Sequence, residues 1–220
     1  PTNTSDPEYF HRVVDCQWAC PAHTDVPEYI RLIAQGRYTD AYVANRRTNV
    51  FPGILGRVCD RPCEPACRRG RVDDKPVAIC RLKRVAADLR DGDISASLPQ
   101  PPKNSNGKRV ALVGAGCASL TVANDLVPLG YECTIFEALP TPGGLMRSNI
   151  PSFRLPHSVL DEEIGYIVND GDDLRLNSPV SSLVSLLEEG YDAVFIGSGA
   201  PKGKDLNIPG RFDDPDHVHI

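Results

Sequence analysis

Long apolar stretches are missing from this chain. No run approaches the roughly 20 residues that a membrane-spanning helix requires, and the opening PTNTSDPEYFHRVVD does not have the shape of a signal peptide. Positive charge is not in excess either. Lys and Arg number 24 against 29 Asp and Glu, a net charge of −5, which argues against a nucleic-acid footprint. The chain lacks internal repeats and heptad runs, which excludes solenoids and coiled coils. The five histidines form no metal set; His217 and His219 alternate near the chain end and are expected to be solvated. The basic pairs Arg46-Arg47 and Arg68-Arg69 are expected to be solvated faces. The expectation is a cytoplasmic protein of one large or two small domains, with no nucleic-acid partner and no membrane span.

Cysteine, by contrast, is plentiful, at eight residues. In a reducing compartment cysteines point to metal or cluster ligands before disulfides. Six lie early in the chain: Cys16 and Cys20, then Cys59, Cys63 and Cys67, then Cys80. The spacing is C-x3-C, a long excursion, C-x3-C-x3-C, and a last cysteine near a helix start. Thiolates supplied from short loops and helix starts are how proteins hold iron–sulfur clusters. Pro21, Pro62 and Pro65 stiffen those loops. Zinc is an alternative, although its sites favour tighter C-x2-C knuckles; plain buried thiols are another. Cys117 and Cys133 are expected to be small core residues.

Residues 109–137, RVALVGAGCASLTVANDLVPLGYECTIFE, carry a second signal. An apolar strand at 110–113 runs into Gly114-Ala115-Gly116, and a helix is expected over 118–129, stopped by Gly130. A second strand over 133–136 ends in Glu137, twenty-three residues after Gly114. Strand, glycine turn, helix, strand and acid in that order are what a dinucleotide site needs. The first glycine permits the turn, the second lets backbone approach a pyrophosphate, and the helix N-terminus attracts its charge. Ser119 stands where the third glycine belongs and keeps the small size that helix–strand packing requires.

Elsewhere the spacing predicts a helix from Thr24 to Gly36, capped by Asp25 and with Ile30 and Ile33 inward. Thr39 is expected to cap a short helix, and residues 51–56, FPGILG, to form a broken loop. Pro76 is expected to open a helix with Ile79, Leu82, Val85, Ala86 and Leu89 on its apolar side. Residues 93–108 are proline-rich and polar, a linker between a helical domain, 1–92, and a dinucleotide domain, 109–220. Two glycines in TPGGLM, 141–146, would let backbone lie against a flat ring. A helix over 158–169 follows, then a short strand closing at Val180, and a strand over 191–196 that enters Gly197-Ser198-Gly199.

Taken together, DCQWACPAHTDVPEYI, GRVCDRPCEPAC, PVAICRLKR, VALVGAGCASL, GGLMRSNIPSFRLP and YDAVFIGSGAP resemble the reductase family of glutamate synthase small subunits and dihydropyrimidine dehydrogenase N-terminal regions. The likeness runs from Asp15 to near the chain end. It implies an α plus α/β architecture: a small helical [4Fe-4S] domain, then an FAD-binding Rossmann-like domain that is incomplete here. A further domain, inserted after the position where this chain ends, would bind NAD(P)H. The likeness places the FAD pyrophosphate against Gly114, Ala115, Gly116, Cys117, Ala118 and Ser119, and the ribose at Glu137 and Ala138. Gly143, Gly144, Leu145 and Arg147 would lie along the flavin, Val180 near the adenine, and Gly197, Ser198 and Gly199 against the cofactor again.

Resemblance also divides the thiols, with Cys20, Cys59 and Cys63 on one cluster and Cys16 and Cys67 on the other. Lys83 stands where dihydropyrimidine dehydrogenase supplies a glutamine ligand, and Cys80, one turn earlier, can replace it. The expectation is one complete [4Fe-4S] site from Cys20, Cys59, Cys63 and Cys80. Cys16 and Cys67 remain as an incomplete second site, because Glu8 and His11 stand where the family has cysteines. The implied activity is an NAD(P)H-dependent oxidoreductase subunit passing electrons through FAD and iron–sulfur to a larger partner subunit. No acid–base residue is assigned as catalytic, since the cofactors carry the redox chemistry. The rivals are a non-catalytic relay or docking subunit and a zinc-stabilised interaction module.

Overall fold

A computed structural model of the chain describes residues 14–92, 94–168, 173–200, 202, 203 and 209; Glu8, His11, His217 and His219 lie outside the described residues. The chain opens with helices α1 (Asp15–Ala19), α2 (Val26–Ala34), α3 (Tyr38–Arg46), α4 (Pro52–Val58) and α5 (Ile79–Leu89). At the start of α2 the Asp25 carboxylate accepts from the Glu28 amide at 3.2 Å, and Pro27 sits in the first turn, so sequence and structure agree there. The fully buried row of α2 is Val26, Tyr29 and Leu32, while Ile30 and Ile33 only flank it. Tyr29 wins the centre because its hydroxyl reaches the Ile79 carbonyl, 3.4 Å away at the start of α5.

Three other expectations are corrected here. Thr39 does not cap α3 but lies inside it; its hydroxyl donates to Asp91, 2.9 Å away, and accepts from the Asp91 amide, tying α3 to the end of α5. Residues 52–58 are a helix and not a broken loop. Pro52 falls in the first turn, where its missing N–H costs nothing, and Gly56 serves helix contact: a Cβ there would lie 2.8 Å from the Arg84 backbone. Helix α5 begins at Ile79, three residues after Pro76, and its buried side is Ile79, Cys80, Lys83, Ala86 and Ala87, with Leu89 exposed. The first part of the proline-rich connection is anchored, since Ile94 and Leu98 are buried with Tyr42 and Ala87.

Four parallel strands follow: β1 (Arg109–Val113), β2 (Glu132–Phe136), β3 (Asp173–Arg175) and β4 (Ala193–Ile196), in the order β3-β2-β1-β4. Helices α6 (Cys117–Leu126), α7 (Leu145–Ser148), α8 (His157–Val168) and α9 (Leu183–Glu188) accompany them. Beyond α6, the 3-10 turn Val127–Leu129 carries the chain to Gly130, whose φ of +87° ends it as expected. No strand includes Val180, a correction: the third strand is Asp173–Arg175, and Val180 lies in extended chain before Ser182, which caps α9. The parallel sheet buries both faces. Val110, Leu112, Cys133 and Ile135 pack with Leu120, Leu160, Ile164 and Ile167, and also with Phe51 and Ile54 from the helical part. Ala111 and Phe136 face the other way, toward Leu186 and Tyr191. Among the described residues no helix is long and apolar enough to cross a membrane.

One acid joins the two parts. Glu163, 1% exposed on α8, accepts from the amides of Gly53 at 2.6 Å and Ile54 at 3.0 Å, and from the Tyr42 hydroxyl at 2.8 Å. Those amides open α4, where the helix dipole favours a negative charge. Burial pushes the Glu163 carboxyl up from its usual range, and the three hydrogen bonds and the nearby Arg90 guanidinium oppose the rise. Arg90 stacks on the Tyr42 ring at 4.6 Å and pairs with Glu162, completing the seam. Replacing Glu163 with Ala strands buried donors at about 1–3 kcal/mol each. Urea unfolding should therefore show a loss of a few kcal/mol for Glu163→Ala, whereas a change below about 0.5 kcal/mol, typical of surface sites, would mean the acid does not hold the seam.

Candidate functional site

The thiols of the helical part come together from separate segments. Cys20 follows α1, Cys59 caps the end of α4, Cys63 lies in the loop after it, and Cys80 is the second residue of α5. The Cys80 thiol donates toward Cys59 and toward the carbonyls of Leu55 at 3.4 Å and Gly56 at 3.6 Å. This hydrogen bond from Cys80 holds the Cys59 thiol down at about 5 and pushes Cys80 well above the ordinary thiol range. Burial pushes Cys63 up to about 11, and it feels the charges of Cys59 and Cys20. Burial also works against ionising Cys20, but hydrogen bonds from Thr24, whose hydroxyl lies 3.4 Å from the sulfur, outweigh it and lower that thiol. Tyr29 lies among these sulfurs. Cys16 is raised mainly by burial and faces Cys67.

All eight cysteines are free. A tetrahedral zinc would draw its sulfurs to about 2.3 Å from one point; among the described residues no three Cys, His, Asp or Glu groups are so placed. Two neighbours carried no motif signal of their own. Glu64 accepts from the Cys80 amide at 3.0 Å and so caps α5 from the middle of the C-x3-C-x3-C loop. Lys83 is 5% exposed on the buried side of α5; its spacing from Ile79 and Ala86 marks it as inward, although its charge suggests otherwise.

The glycine turn is assembled from three loops. Gly114, at φ +93°, turns under the Gly197 carbonyl, and the Gly143 amide donates to the Ala115 carbonyl at 2.8 Å. A Cβ at Gly116 would meet only Gly197, at 4.0 Å, and nothing lies within 4 Å of a Cβ at Gly199, which leaves an opening there. Gly116 is the residue before α6, so the amides of Cys117, Ala118 and Ser119 lack intrahelical acceptors and face that opening. Ser119 is fully buried, and its hydroxyl donates to the Val113 carbonyl at 3.4 Å. Glu137 is 7% exposed; one carboxylate oxygen accepts from the Ala115 amide at 2.7 Å and the other from Leu139 at 2.9 Å. Each oxygen keeps a lone pair, so the acid positions the turn and still has capacity for a hydroxyl.

Other expected site residues are placed as follows. Leu145 is 45% exposed at the start of α7. The Arg147 guanidinium donates to the Pro142 carbonyl at 2.6 Å and pairs with Asp161, so it braces α7 against α8. Val180 packs against the Ala111–Phe136–Leu186–Tyr191 cluster. Ser198 is exposed and Ala138 follows the acid at the exposed rim. The open space before α6 and the acid beside the turn fit an ADP half.

Residues 11–93 match the dihydropyrimidine dehydrogenase domain II, 4Fe-4S cluster family, and residues 112–167 match the NAD(P)-binding Rossmann-like domain. The helical part of the chain thus carries the 4Fe-4S domain and the part after it the Rossmann-like NAD(P)-binding region. It is 39% identical over 218 residues to the NADP(+)-dependent formate dehydrogenase subunit beta of Moorella thermoacetica, covering 89% of this chain and 31% of that protein. Identity is 39% over 209 residues to an NAD-dependent dihydropyrimidine dehydrogenase subunit PreT homolog of Salmonella typhi, covering 93% and 49%. It is 35% over 198 residues to the glutamate synthase [NADPH] small chain of Mycobacterium tuberculosis, covering 89% and 40%. The chain thus spans 31% to 49% of the length of these curated relatives. Among solved structures it is similar to histamine dehydrogenase from Rhizobium sp. 4-9, at 19% identity and TM-score 0.42 over 76% of this chain and 27% of that one.

Contact between Ser119 and Gly197 yields a direct check on the missing third glycine. A Cβ at Gly197 would fall 2.1 Å from the Ser119 hydroxyl oxygen, and overpacking of that kind costs about 1–3 kcal/mol. Chemical denaturation should show Gly197→Ala destabilised, with Ser119→Gly recovering most of the loss in the double variant. Additive losses in that cycle would show that the serine does not occupy the glycine's space.

Proposed function

We propose that this chain is the cluster- and flavin-bearing part of an NAD(P)H-dependent oxidoreductase subunit that passes electrons toward a larger partner subunit. The observation that carries the reading is the convergence of four thiols at the end of α4, the helix whose start Glu163 ties to the dinucleotide fold. Cys20, Cys59, Cys63 and Cys80 hold a [4Fe-4S] cluster, and Cys16 with Cys67 forms an incomplete second set. The first amides of α6 hold the pyrophosphate, and Glu137 takes a ribose hydroxyl. When bound, the cluster and flavin supply one-electron and hydride chemistry; the chain's own residues position both and keep water from them. FAD and NAD(P) share the ADP half that the turn recognises; the Gly143-Gly144 turn packed beside it favours FAD. The names of the relatives, all subunits or chains of NAD(P)-dependent enzymes, support the nicotinamide donor and a partner subunit. A cytoplasmic location suits eight free thiols.

Anaerobically purified protein should carry FAD, identified by its absorption and released by heat. A nicotinamide in its place would reassign the glycine turn. Glu137→Ala should weaken flavin binding by about 1.5–3 kcal/mol, the worth of a hydrogen bond to a charged group. Flavin affinity unchanged in that variant would remove the acid from the ribose.

For the cluster, single Cys→Ala changes at positions 20, 59, 63 and 80 should each abolish the low-temperature resonance signal of the reduced centre. Changes at Cys16 and Cys67 should leave most of the iron in place. Equal loss at all six positions would require two clusters and would overturn the division of the thiols.

A further inference from the structure

We propose that Thr24 is a positioning residue for the cluster: its hydroxyl donates to the Cys20 sulfur, holds that sulfur in place and raises the reduction potential of the iron it binds. The inference rests on the cluster reading above. Thr24 is 1% exposed in the turn between α1 and α2, and its hydroxyl oxygen lies 3.4 Å from the Cys20 sulfur. Two groups from the turn after α3 meet the same oxygen. The Asn49 side-chain amide donates to it, and so does the Thr48 hydroxyl at 3.1 Å. A hydroxyl has two lone pairs and one hydrogen. With both lone pairs taken, the hydrogen of Thr24 is left for the sulfur.

That direction is fixed from further back. Asn49 is 6% exposed, and its side-chain amide gives its other hydrogen to the Asn45 side-chain carbonyl at 2.9 Å. Asn45 is fully buried on α3, and among the described residues its own amide nitrogen has no partner. A polar chain carried through the core with one donor left over is costly, and packing alone at Thr24 would be served by valine. The network also joins two thiol-bearing segments, because Thr24 follows Cys20 by four residues and Asn49 leads into α4, which ends at Cys59. Reduction of a [4Fe-4S] cluster adds one electron, and the Thr24 hydrogen stays on its oxygen, so no proton moves. Part of the added charge falls on the ligating sulfurs, and a donor at one of them stabilises the reduced state more. Hydrogen bonds to sulfur are among the factors that set cluster potentials.

The test uses the whole chain, reconstituted without oxygen, with iron analysis and a redox titration followed by low-temperature resonance. Thr24→Val keeps the shape and removes the donor. It should retain iron and move the midpoint down, so that the reduced-to-oxidised ratio at a fixed potential falls about threefold, roughly 28 mV where tenfold is 59 mV for a one-electron couple. Thr24→Ser, which keeps the hydroxyl, should stay near the parent value. Iron lost from the Val variant and kept in the Ser variant would equally show that the hydroxyl holds the sulfur. An unmoved midpoint with full iron in Thr24→Val overturns the proposal, as does an equal shift in both variants or iron lost from both. Parent protein that binds no iron would overturn the cluster reading and this proposal with it.

Discussion

Glu163 takes the amides that open α4, and Cys59 closes that same helix. Seven residues of helix, about 10 Å, therefore separate the acid that anchors the nucleotide fold from a thiol of the cluster set. The buried carboxylate is stable there only because three donors and the helix N-terminus meet it. Phe51 and Ile54 at the start of α4 then enter the core of the sheet. Removing the acid would leave that end of α4 with open amides inside an apolar core. The two halves of the molecule are fixed to each other at this end of α4.

The same logic of small groups and exact contacts builds the glycine turn. Gly114 and Gly197 let β1 and β4 end close together, and Ser119 fills the space between α6 and the strand ends. Glu137 crosses from the end of β2 to the Ala115 amide, so the acid expected to meet a ribose also holds the turn in shape. A site residue with a structural contact as well as a ligand role is constrained twice, and a substitution there disturbs both.

Charge is distributed with equal economy around the thiols. Cys59 is held low by Cys80, Cys63 is held high by burial, and the positive charge of Lys83 opposes that rise. Ligands must give up their protons to bind iron, and the Thr24 hydroxyl beside Cys20 lowers that thiol toward its ionised form. The cysteine loop is short, and Glu64 in its middle caps the helix that carries Cys80.

Local chemistry made much of this legible. The order of strand, glycine turn, helix and acid follows from backbone rules that act within about thirty residues, and β1, α6 and β2 fall where those rules put them. The Asp25 cap and Gly130 stop were likewise readable residue by residue. Tertiary contact decided the rest. FPGILG became a helix because Gly56 lets α4 approach the Arg84 backbone, a benefit no local propensity contains. Tyr29 displaced the isoleucines beside it because its hydroxyl had a carbonyl to meet across the fold. Glu163 sits at core spacing on its helix but carries a charge, and only the amides and hydroxyl brought to it from distant segments stabilise its burial. Sequence alone thus determined which elements form and which chemistry they carry, because caps, turns and periodicity act over short stretches. The partners of the buried charges, and with them the joining of the two cofactor-binding parts, came from tertiary structure, because a charge's burial is decided by groups far away in the chain.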